Sequence, residues 1–185
     1  RLQAEFSKLI LGEWAEQVLT EIVLDKRAKQ QDKIMAKQYR CMALKQQGRL
    51  DDAIEDAEEL FENVKNTILY GLLGYLKQLK GEDTLEFCKE AYEYNDSDRD
   101  ICDNLVVAYY RNGDMAKAEE LAKKLREEHP EFTEAFYHSA LIAHRTGKDA
   151  LAKEYLDKIG GCNRTKLTTV SEEEIEKLKE EVAHA

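Results

Sequence analysis

Hydrophobic residues recur along most of the chain at the spacing of amphipathic helices, and these helices come in pairs. In one pair, Ile101, Leu105 and Ala108 fall on one face of the first helix, while Ala118 and Leu125 fall on one face of the second. Each helix of such a pair buries its apolar face against a neighbour and leaves its polar residues in water. The pattern therefore predicts an all-α fold made of paired helices.

The helix pair repeats at a fixed offset. Gly113 and Gly147 lie 34 positions apart, and the same offset aligns Ala118 with Ala152. Pro130 ends the first of these two copies, because proline cannot continue the hydrogen bonds of a helix. A repeat of this length predicts a solenoid in which each helix pair stacks on the next.

The better preserved copies resemble a known family. Residues 104–118 read Asn-Leu-x-x-Ala-Tyr-Tyr-x-x-Gly-Asp-x-x-x-Ala and are closed by Pro130, and this run resembles a tetratricopeptide repeat. Residues 48–54, Gly-Arg-Leu-Asp-Asp-Ala-Ile, resemble the turn between the helices of another copy. The resemblance implies a right-handed α-solenoid of about four helix-turn-helix repeats with a C-terminal capping helix.

We expect a single domain over residues 1–185. Its predicted parts are a degenerate or half repeat at 1–33, repeats at 34–66, 67–98, 99–132 and 133–166, and a capping helix at 171–183. The helices of the repeats are predicted near 34–46, 50–62, 67–79, 83–94, 100–112, 114–128, 134–146 and 148–159. Ser171 and Glu174 form a capping-box pattern at the start of the last helix, whose charged outer face would cover the apolar flank of the last repeat.

The composition excludes several classes of protein and of partner. With 9 glycines and 1 proline among 185 residues, the chain has too few turn formers for a β-sandwich or barrel. The net charge of -10 repels nucleic acid and anionic lipid, so neither is expected as a partner. Without a signal peptide or a spanning apolar run, a cytoplasmic location is expected. The start at Arg1 leaves open a processed chain that an upstream segment tethers.

No pattern of catalytic, cofactor-binding or metal-binding residues emerges. The sequence lacks a Gly-rich phosphate loop, a G-x-S-x-G elbow and an H-E-x-x-H pair. His138 and His144 lie six positions apart, so that on a helix they point in different directions and are poorly placed to share a metal. Carboxylates occur in runs beside lysines, which is typical of solvated helix faces. The sequence predicts no enzyme, no cofactor and no metal.

The cysteines are predicted to be reduced. Cys41, Cys88, Cys102 and Cys162 are scattered along the chain without a C-x-x-C pair. The first three coincide with repeat positions where small apolar side chains pack. We therefore expect free thiols that fill space between helices.

A groove is predicted where equivalent positions of successive first helices form columns. Counting by the repeat offset gives three columns that are mainly apolar, and a basic column beside them. The predicted partner-binding residues are Leu69, Leu73, Leu76, Val107, Tyr110, Tyr137, Leu141 and His144, with Lys77, Arg111 and Arg145 in the basic column. Such a groove favours a protein or peptide with apolar anchors, and its basic edge favours acidic groups. The same cations also suit helix C-termini, where they interact with the helix dipole, and both interpretations stay open.

The family resemblance implies a non-enzymatic scaffold that binds a peptide or a helix of a partner in its concave groove. Family members that bind chaperone carboxyl termini carry lysine, asparagine and arginine where this chain has residues such as Asp100 and Glu134, so that ligand is not expected. One alternative is a self-associating structural module, such as a homodimer, that pairs through Val18, Leu19, Ile22 and Val23. Another is a regulatory domain cut from a larger enzyme or from a membrane-anchored protein.

Overall fold

The computed structural model describes residues 14–165 and 168–185, and all regular structure in those residues is helical. The ten helices of this part of the chain are α1 (Ala15–Leu24), α2 (Gln30–Gln46), α3 (Leu50–Asn63), α4 (Thr67–Lys80), α5 (Leu85–Tyr94), α6 (Arg99–Arg111), α7 (Met115–Glu128), α8 (Thr133–Arg145), α9 (Asp149–Ile159) and α10 (Glu172–Ala183). The predicted all-α fold of paired helices closed by a C-terminal helix is confirmed. None of the helices described has the length and apolar composition needed to cross a membrane.

The helices lie close to their predicted positions, with two differences at the N-terminal side. α2 begins at Gln30, slightly before its predicted start, and α1 forms in the segment predicted as a degenerate or half repeat. Residues 1–13 of that segment, and residue 166 at the end of the last predicted repeat, lie outside the described residues. Contacts within the chain divide it into two compact units, Arg1–Glu82 and Asp83–Ala185.

The first unit contains α1 to α4, and each of these helices packs against the next one in the chain. Between α2 and α3 the chain turns at Gly48, whose φ of 76° lies in the left-handed region that glycine enters without steric cost. Arg40 on α2 binds Asp56 on α3 through two hydrogen bonds of 2.6 and 2.7 Å. Asn66 caps α4 by accepting a hydrogen bond from the backbone N–H of Leu69 at 2.9 Å. The Asn66 cap thus sets the start of α4, and the bidentate ion pair holds α2 against α3.

The apolar face of α1 is used inside the first unit. Leu19 is fully buried, and Ile22 and Val23 pack half-buried against α2. Part of this apolar face is therefore used in packing against α2, and Val18, Ile22 and Val23 keep part of their surface exposed. The large apolar side chains that α1 leaves exposed at its two ends are Trp14 and Leu24.

The second unit contains α5 to α10 and includes two copies of the same helix pair. Gly113 and Gly147 have φ values of 82° and 74° and make the same turn, between α6 and α7 and between α8 and α9. Ala118 and Ala152 are fully buried, as expected of small residues where helices approach closely. α6 also contacts α8, so the equivalent first helices of the two pairs lie next to each other. The offset of 34 positions is therefore the structural repeat of this unit.

The last helix closes the second unit. Ser171 and Glu174 form both hydrogen bonds of the predicted capping box at the start of α10. Ile175 and Leu178 are almost fully buried in a cluster with residues of α8 and α9. The capping helix thus covers an apolar flank that the last pair would otherwise expose to water.

The four cysteines carry free thiols, as predicted. Burial raises the pKa of Cys41 and Cys102 to about 12 and that of Cys88 to about 11. Thiols with such pKa values stay protonated near neutral pH, and only the thiolate is a strong nucleophile. These three cysteines are therefore packing residues.

Candidate functional site

Three predicted groove residues of the first unit are buried. Leu69, Leu73 and Leu76 on α4 are 0, 2 and 0% exposed. α4 is apolar around most of its circumference, and a helix without a broad polar face belongs in the interior. The prediction that these leucines are exposed in a groove is therefore wrong. The nearly uninterrupted apolar sequence of α4 is the signal that points to this result.

Lys77, the predicted basic residue of α4, is already paired within the first unit. Its Nζ lies 2.5 Å from Oε1 of Glu58 on α3 and 3.4 Å from Oε2 of Glu82. Partial burial lowers the pKa of Lys77, but the two carboxylates raise it by more, so the ammonium group stays charged. An ammonium that two carboxylates neutralise contributes little attraction for an acidic ligand.

In the second unit, the repeat brings several predicted residues to one surface. The α6–α8 face consists of Val107, Tyr110 and Arg111 on α6 and the equivalent Leu141, His144 and Arg145 on α8. On each helix the three residues share one side, because they are spaced by three and four positions. The two arginines are exposed, and the other four side chains are half-buried. In this unit the repeat offset therefore relates partly exposed or exposed positions on two helices that contact each other.

Tyr137 and His144, two of the predicted binding residues, each contact another helix, and the sequence does not reveal these contacts. Tyr137 is 9% exposed, because the capping helix packs over it. Burial raises the pKa of Tyr137 to about 12, and the negative charges of Glu174 and Glu181 add to this effect. On the α6–α8 face, His144 places Nδ1 2.5 Å from Oδ1 of Asp149 on α9. The prediction that Tyr137 is exposed is thus wrong, and His144 is tied to the next helix.

A buried polar cluster adjoins the α6–α8 face and is not evident in the sequence. Asp103 on α6 is 6% exposed, and its Oδ1 accepts a hydrogen bond of 2.6 Å from Nδ1 of His138 on α8. Glu134, at the start of α8, is 3% exposed and accepts a hydrogen bond of 2.6 Å from the backbone N–H of Thr169. Buried polar groups need such partners. The cluster ties α6 to α8, and α8 to the segment that precedes the capping helix.

Asp103 favours the protonated form of His138. Burial alone would lower the pKa of His138, because it disfavours the charged imidazolium. The charge of Asp103 and the hydrogen bond to it raise the pKa by more, and Glu134 and Glu174 add smaller contributions, so the net shift is upward. A histidine whose folded pKa is raised stabilises the fold fully below its ordinary pKa of about 6.5. This stabilisation is lost as the pH rises through the raised pKa.

We expect the Asp103→Asn substitution to destabilise the chain more at about pH 5.5 than at about pH 8. At the lower pH the substitution leaves a buried imidazolium without its carboxylate, whereas at the higher pH it leaves a neutral ring. Urea unfolding at both pH values measures the difference, and NMR titration of the His138 ring should show a lower pKa in the variant. Asp157→Asn, at an exposed position of α9, is the control and should show no such dependence. Equal destabilisation by Asp103→Asn at the two pH values would contradict the assignment.

The α6–α8 face carries both apolar and positively charged side chains that a ligand can contact. Val107 and Leu141 are half-buried apolar side chains, and Tyr110, also half-buried, packs against a cluster that includes Val106 and Ile142. Arg111 and Arg145 present guanidinium groups, which bind carboxylates through paired hydrogen bonds. Within residues 14–165 and 168–185, no group of three His, Cys, Asp or Glu side chains is arranged to hold a metal ion.

Several solved structures are similar to this chain in fold. YrrB, a TPR protein with an unusual peptide-binding site, has a TM-score of 0.60 at 17% identity, covering 97% of this chain and 87% of that chain. MamA has a TM-score of 0.59 at 17% identity, covering 92% and 90%. MamA 41-end from Desulfovibrio magneticus RS-1 has a TM-score of 0.63 at 15% identity, covering 86% and 93%. At these identities, the similarity shows a shared fold.

A sequence match identifies one segment of the chain as a known repeat. Residues 104–131 match the family model described as Tetratricopeptide repeat, and they cover most of α6 and all of α7. The chain thus contains a tetratricopeptide repeat. The matched repeat supplies Val107, Tyr110 and Arg111 to the α6–α8 face. No curated protein sequence matches this chain significantly.

Proposed function

We propose that this protein is a non-catalytic interaction module that binds a segment of a partner protein on the α6–α8 face. The observation that carries the proposal is the recurrence of half-exposed apolar side chains beside exposed arginines at equivalent positions of two adjacent helices. Grooves that bind peptides or helices combine apolar contact with a few oriented polar groups in this way. The similar fold of YrrB, which is described as having a peptide-binding site, supports a peptide or a helix as the ligand.

The proposed ligand carries apolar anchors next to acidic residues. Val107, Tyr110 and Leu141 offer the apolar contact area. Arg111 and Arg145 lie in the last turns of α6 and α8, and both side chains are exposed. Because the whole chain has a net charge of -10, these arginines give the face a local charge opposite to that of the molecule. Such a local charge attracts an acidic segment and selects against a basic one.

The proposed site is smaller than the groove predicted from the sequence. Leu69, Leu73 and Leu76 are buried, and Lys77 is paired with carboxylates, so the first unit contributes none of them. Tyr137 is covered by the capping helix. What remains is a surface of two helices, which suits one short segment of a partner.

Selection of random peptides displayed on phage, with the wild-type chain as target, would test the proposal. We expect the enriched peptides to share apolar residues flanked by Asp or Glu. Replacing both Tyr110 and Leu141 with serine should weaken their binding by about 2–4 kcal/mol, as for anchor residues at interfaces. The same double variant should lose less stability than binding energy, because both side chains are only half-buried. Fluorescence anisotropy with a labelled peptide and thermal melting measure the two quantities.

Glu127→Ser is the matched control, because this residue of α7 has a side chain that is 67% exposed and lies outside the face. It should leave both binding and stability unchanged.

Changing Arg111 and Arg145 to glutamate should slow association with an acidic peptide and flatten its salt dependence, since exposed charges act mainly on association rates. Peptides that bind the double serine variant as tightly as the wild type would overturn the assignment of the site.

A further inference from the structure

A second concave site lies in the second unit, among other residues than those of the α6–α8 face. It is a cleft of about 440 Å³ between α5 and α7, with α6 at its base. The residues that define it are Lys89, Tyr92, Leu105, Tyr109, Leu121 and Lys124. Clefts of 300–1,000 Å³ are of the size that holds small organic ligands, so this cleft is large enough for one.

The base of the cleft is apolar and aromatic. Leu105 is buried, and Leu121 is half-buried beside it. Tyr92 and Tyr109 pack on the same cluster, each half-buried, so that their rings line the walls. An aromatic or aliphatic group placed here would be removed from water on several sides, which favours its binding.

One cation of the cleft, Lys124, donates its hydrogen bonds to neutral acceptors, and the carboxylate of Glu128 lies nearby but forms no ion pair with it. Nζ of Lys124 donates hydrogen bonds to the hydroxyl oxygen of Tyr92 at 2.9 Å and to the backbone carbonyl of Asp96 at 3.3 Å. Both acceptors are neutral, and Lys124 forms no ion pair with any residue that the structure describes. An ammonium group has three donors, so one of them remains for a ligand. The position thus combines a local positive charge, a spare donor and an apolar base.

The other charges of the cleft limit what it can bind. Lys89 and Lys117 also line it, and each is paired along its own helix, with Glu86 and Asp114 at 2.7 Å. Such exposed pairs contribute little stability and can open to admit a ligand. Two glutamates at the rim, Glu93 and Glu120, oppose the three lysines. Counted with Glu86 and Asp114, four carboxylates surround the three lysines, so the cleft has no general excess of positive charge and disfavours a polyanion such as nucleic acid. Binding of a single carboxylate therefore depends on the direct hydrogen bond from Lys124.

We propose that this cleft binds an organic carboxylate with an apolar or aromatic body. The carboxylate accepts a hydrogen bond from Nζ of Lys124, and the body lies over Leu105 and Leu121 between the two tyrosine rings. A charge-assisted hydrogen bond is about twice as strong as a neutral one, so the carboxylate orients the ligand while the apolar base supplies contact area. The ligand is either a free small acid or an acidic residue next to an apolar one in a partner protein.

NMR of the ¹⁵N-labelled full chain with two probes tests the proposal. The first probe is phenylacetate, with uncharged phenylacetamide of similar shape as its control. The second is the peptide acetyl-Phe-Glu-amide, which places one side-chain carboxylate next to a phenyl ring. We expect at least one probe, at concentrations up to about 20 mM, to give saturable shifts in the amides of α5, α6 and α7 that line the cleft. Phenylacetamide should bind about tenfold more weakly than phenylacetate, because it cannot form the charged hydrogen bond.

Variants of one lysine assign the contact. Lys124→Gln should weaken binding about tenfold, and Lys124→Arg should retain it, since arginine keeps a charged donor. Lys123→Gln is the matched control, because this neighbouring residue has a side chain that is 68% exposed and lies outside the cleft. Thermal melting of each variant separates loss of binding from loss of folding, and Lys124→Arg keeps the test valid should Lys124→Gln unfold.

The pattern of binding identifies the source of the carboxylate. Binding of phenylacetate supports a free acid as ligand, and tighter binding of the peptide supports a partner protein. Absence of saturable shifts from both probes would overturn the proposal, as would equal binding by Lys124→Gln and the wild type. Shifts in the amides of α5 and α7 report on the cleft alone, because neither helix contributes a residue to the α6–α8 face. Failure here therefore leaves the proposed peptide site untouched, and the reverse also holds.

Discussion

Replacing Leu73 with serine is expected to lower the free energy of unfolding by about 3–5 kcal/mol. Leu73 is 2% exposed on α4, so the change removes buried methyl groups, leaves a cavity and brings a hydroxyl into apolar surroundings. Each of these effects destabilises the folded state and leaves the unfolded state nearly unchanged. Urea unfolding followed by circular dichroism at a helical wavelength measures the loss.

Leu79→Ser provides a control on the same helix, because Leu79 is 45% exposed. The stability of this variant should stay within about 1 kcal/mol of the wild type. Comparing Leu73→Ser with Leu79→Ser also tests whether Leu73 belongs to a binding groove. An unchanged unfolding midpoint for Leu73→Ser would mean that this leucine is open to water, and the groove predicted on α4 would then regain support.

The second large effect is expected for the capping helix. Leu178→Ala should lower the free energy of unfolding by about 2–5 kcal/mol, the usual cost of truncating a buried leucine. Leu178 is 2% exposed and packs in the cluster that also holds Tyr137, Leu156 and Ile159. Loss of its side chain weakens the contact of α10 with α8 and α9 and opens this cluster to water. Hydrogen exchange of the α8 and α9 amides, together with thermal melting, should report both effects.

Glu176→Ala on α10 is the control for this prediction. Its side chain is 55% exposed and forms an ion pair of 2.7 Å with Lys179, and exposed pairs of this kind contribute at most about 1 kcal/mol. The variant should melt close to the wild type. Similar melting temperatures for Leu178→Ala and Glu176→Ala would mean that α10 lies on the surface without supporting the second unit.

Most of the fold can be predicted from the sequence, because the signals act over a few residues. Gly113 and Gly147 mark turns that require a left-handed backbone, and such turns favour glycine wherever they occur. Ala118 and Ala152 mark the positions where helices approach most closely. Ser171 begins the last helix through hydrogen bonds within one turn. Each of these features depends on near neighbours, so the chain order alone reveals it.

The candidate site is predictable only in part. The repeat offset relates Val107 to Leu141, which lie half-buried at equivalent positions of two helices in contact. The repeat offset does not indicate how deeply the side chain at a given position is buried. Leu73 is buried because α4 is apolar around most of its circumference, and Tyr137 is buried because α10 packs over α8. Helical periodicity identifies an apolar face, but it does not say whether another element covers that face.

The sequence by itself determined the helices, their turns, the period of the repeat and its resemblance to the tetratricopeptide repeat. Only the tertiary structure decided which side chains meet and which stay open to ligands. The contact of Asp103 with His138 joins residues 35 positions apart, and it forms because α6 and α8 pack with these two side chains facing each other. The cleft beside Lys124 likewise needs three helices at fixed distances. Backbone conformation follows from interactions within a turn or two, whereas burial, pairing and cavities follow from how distant segments pack.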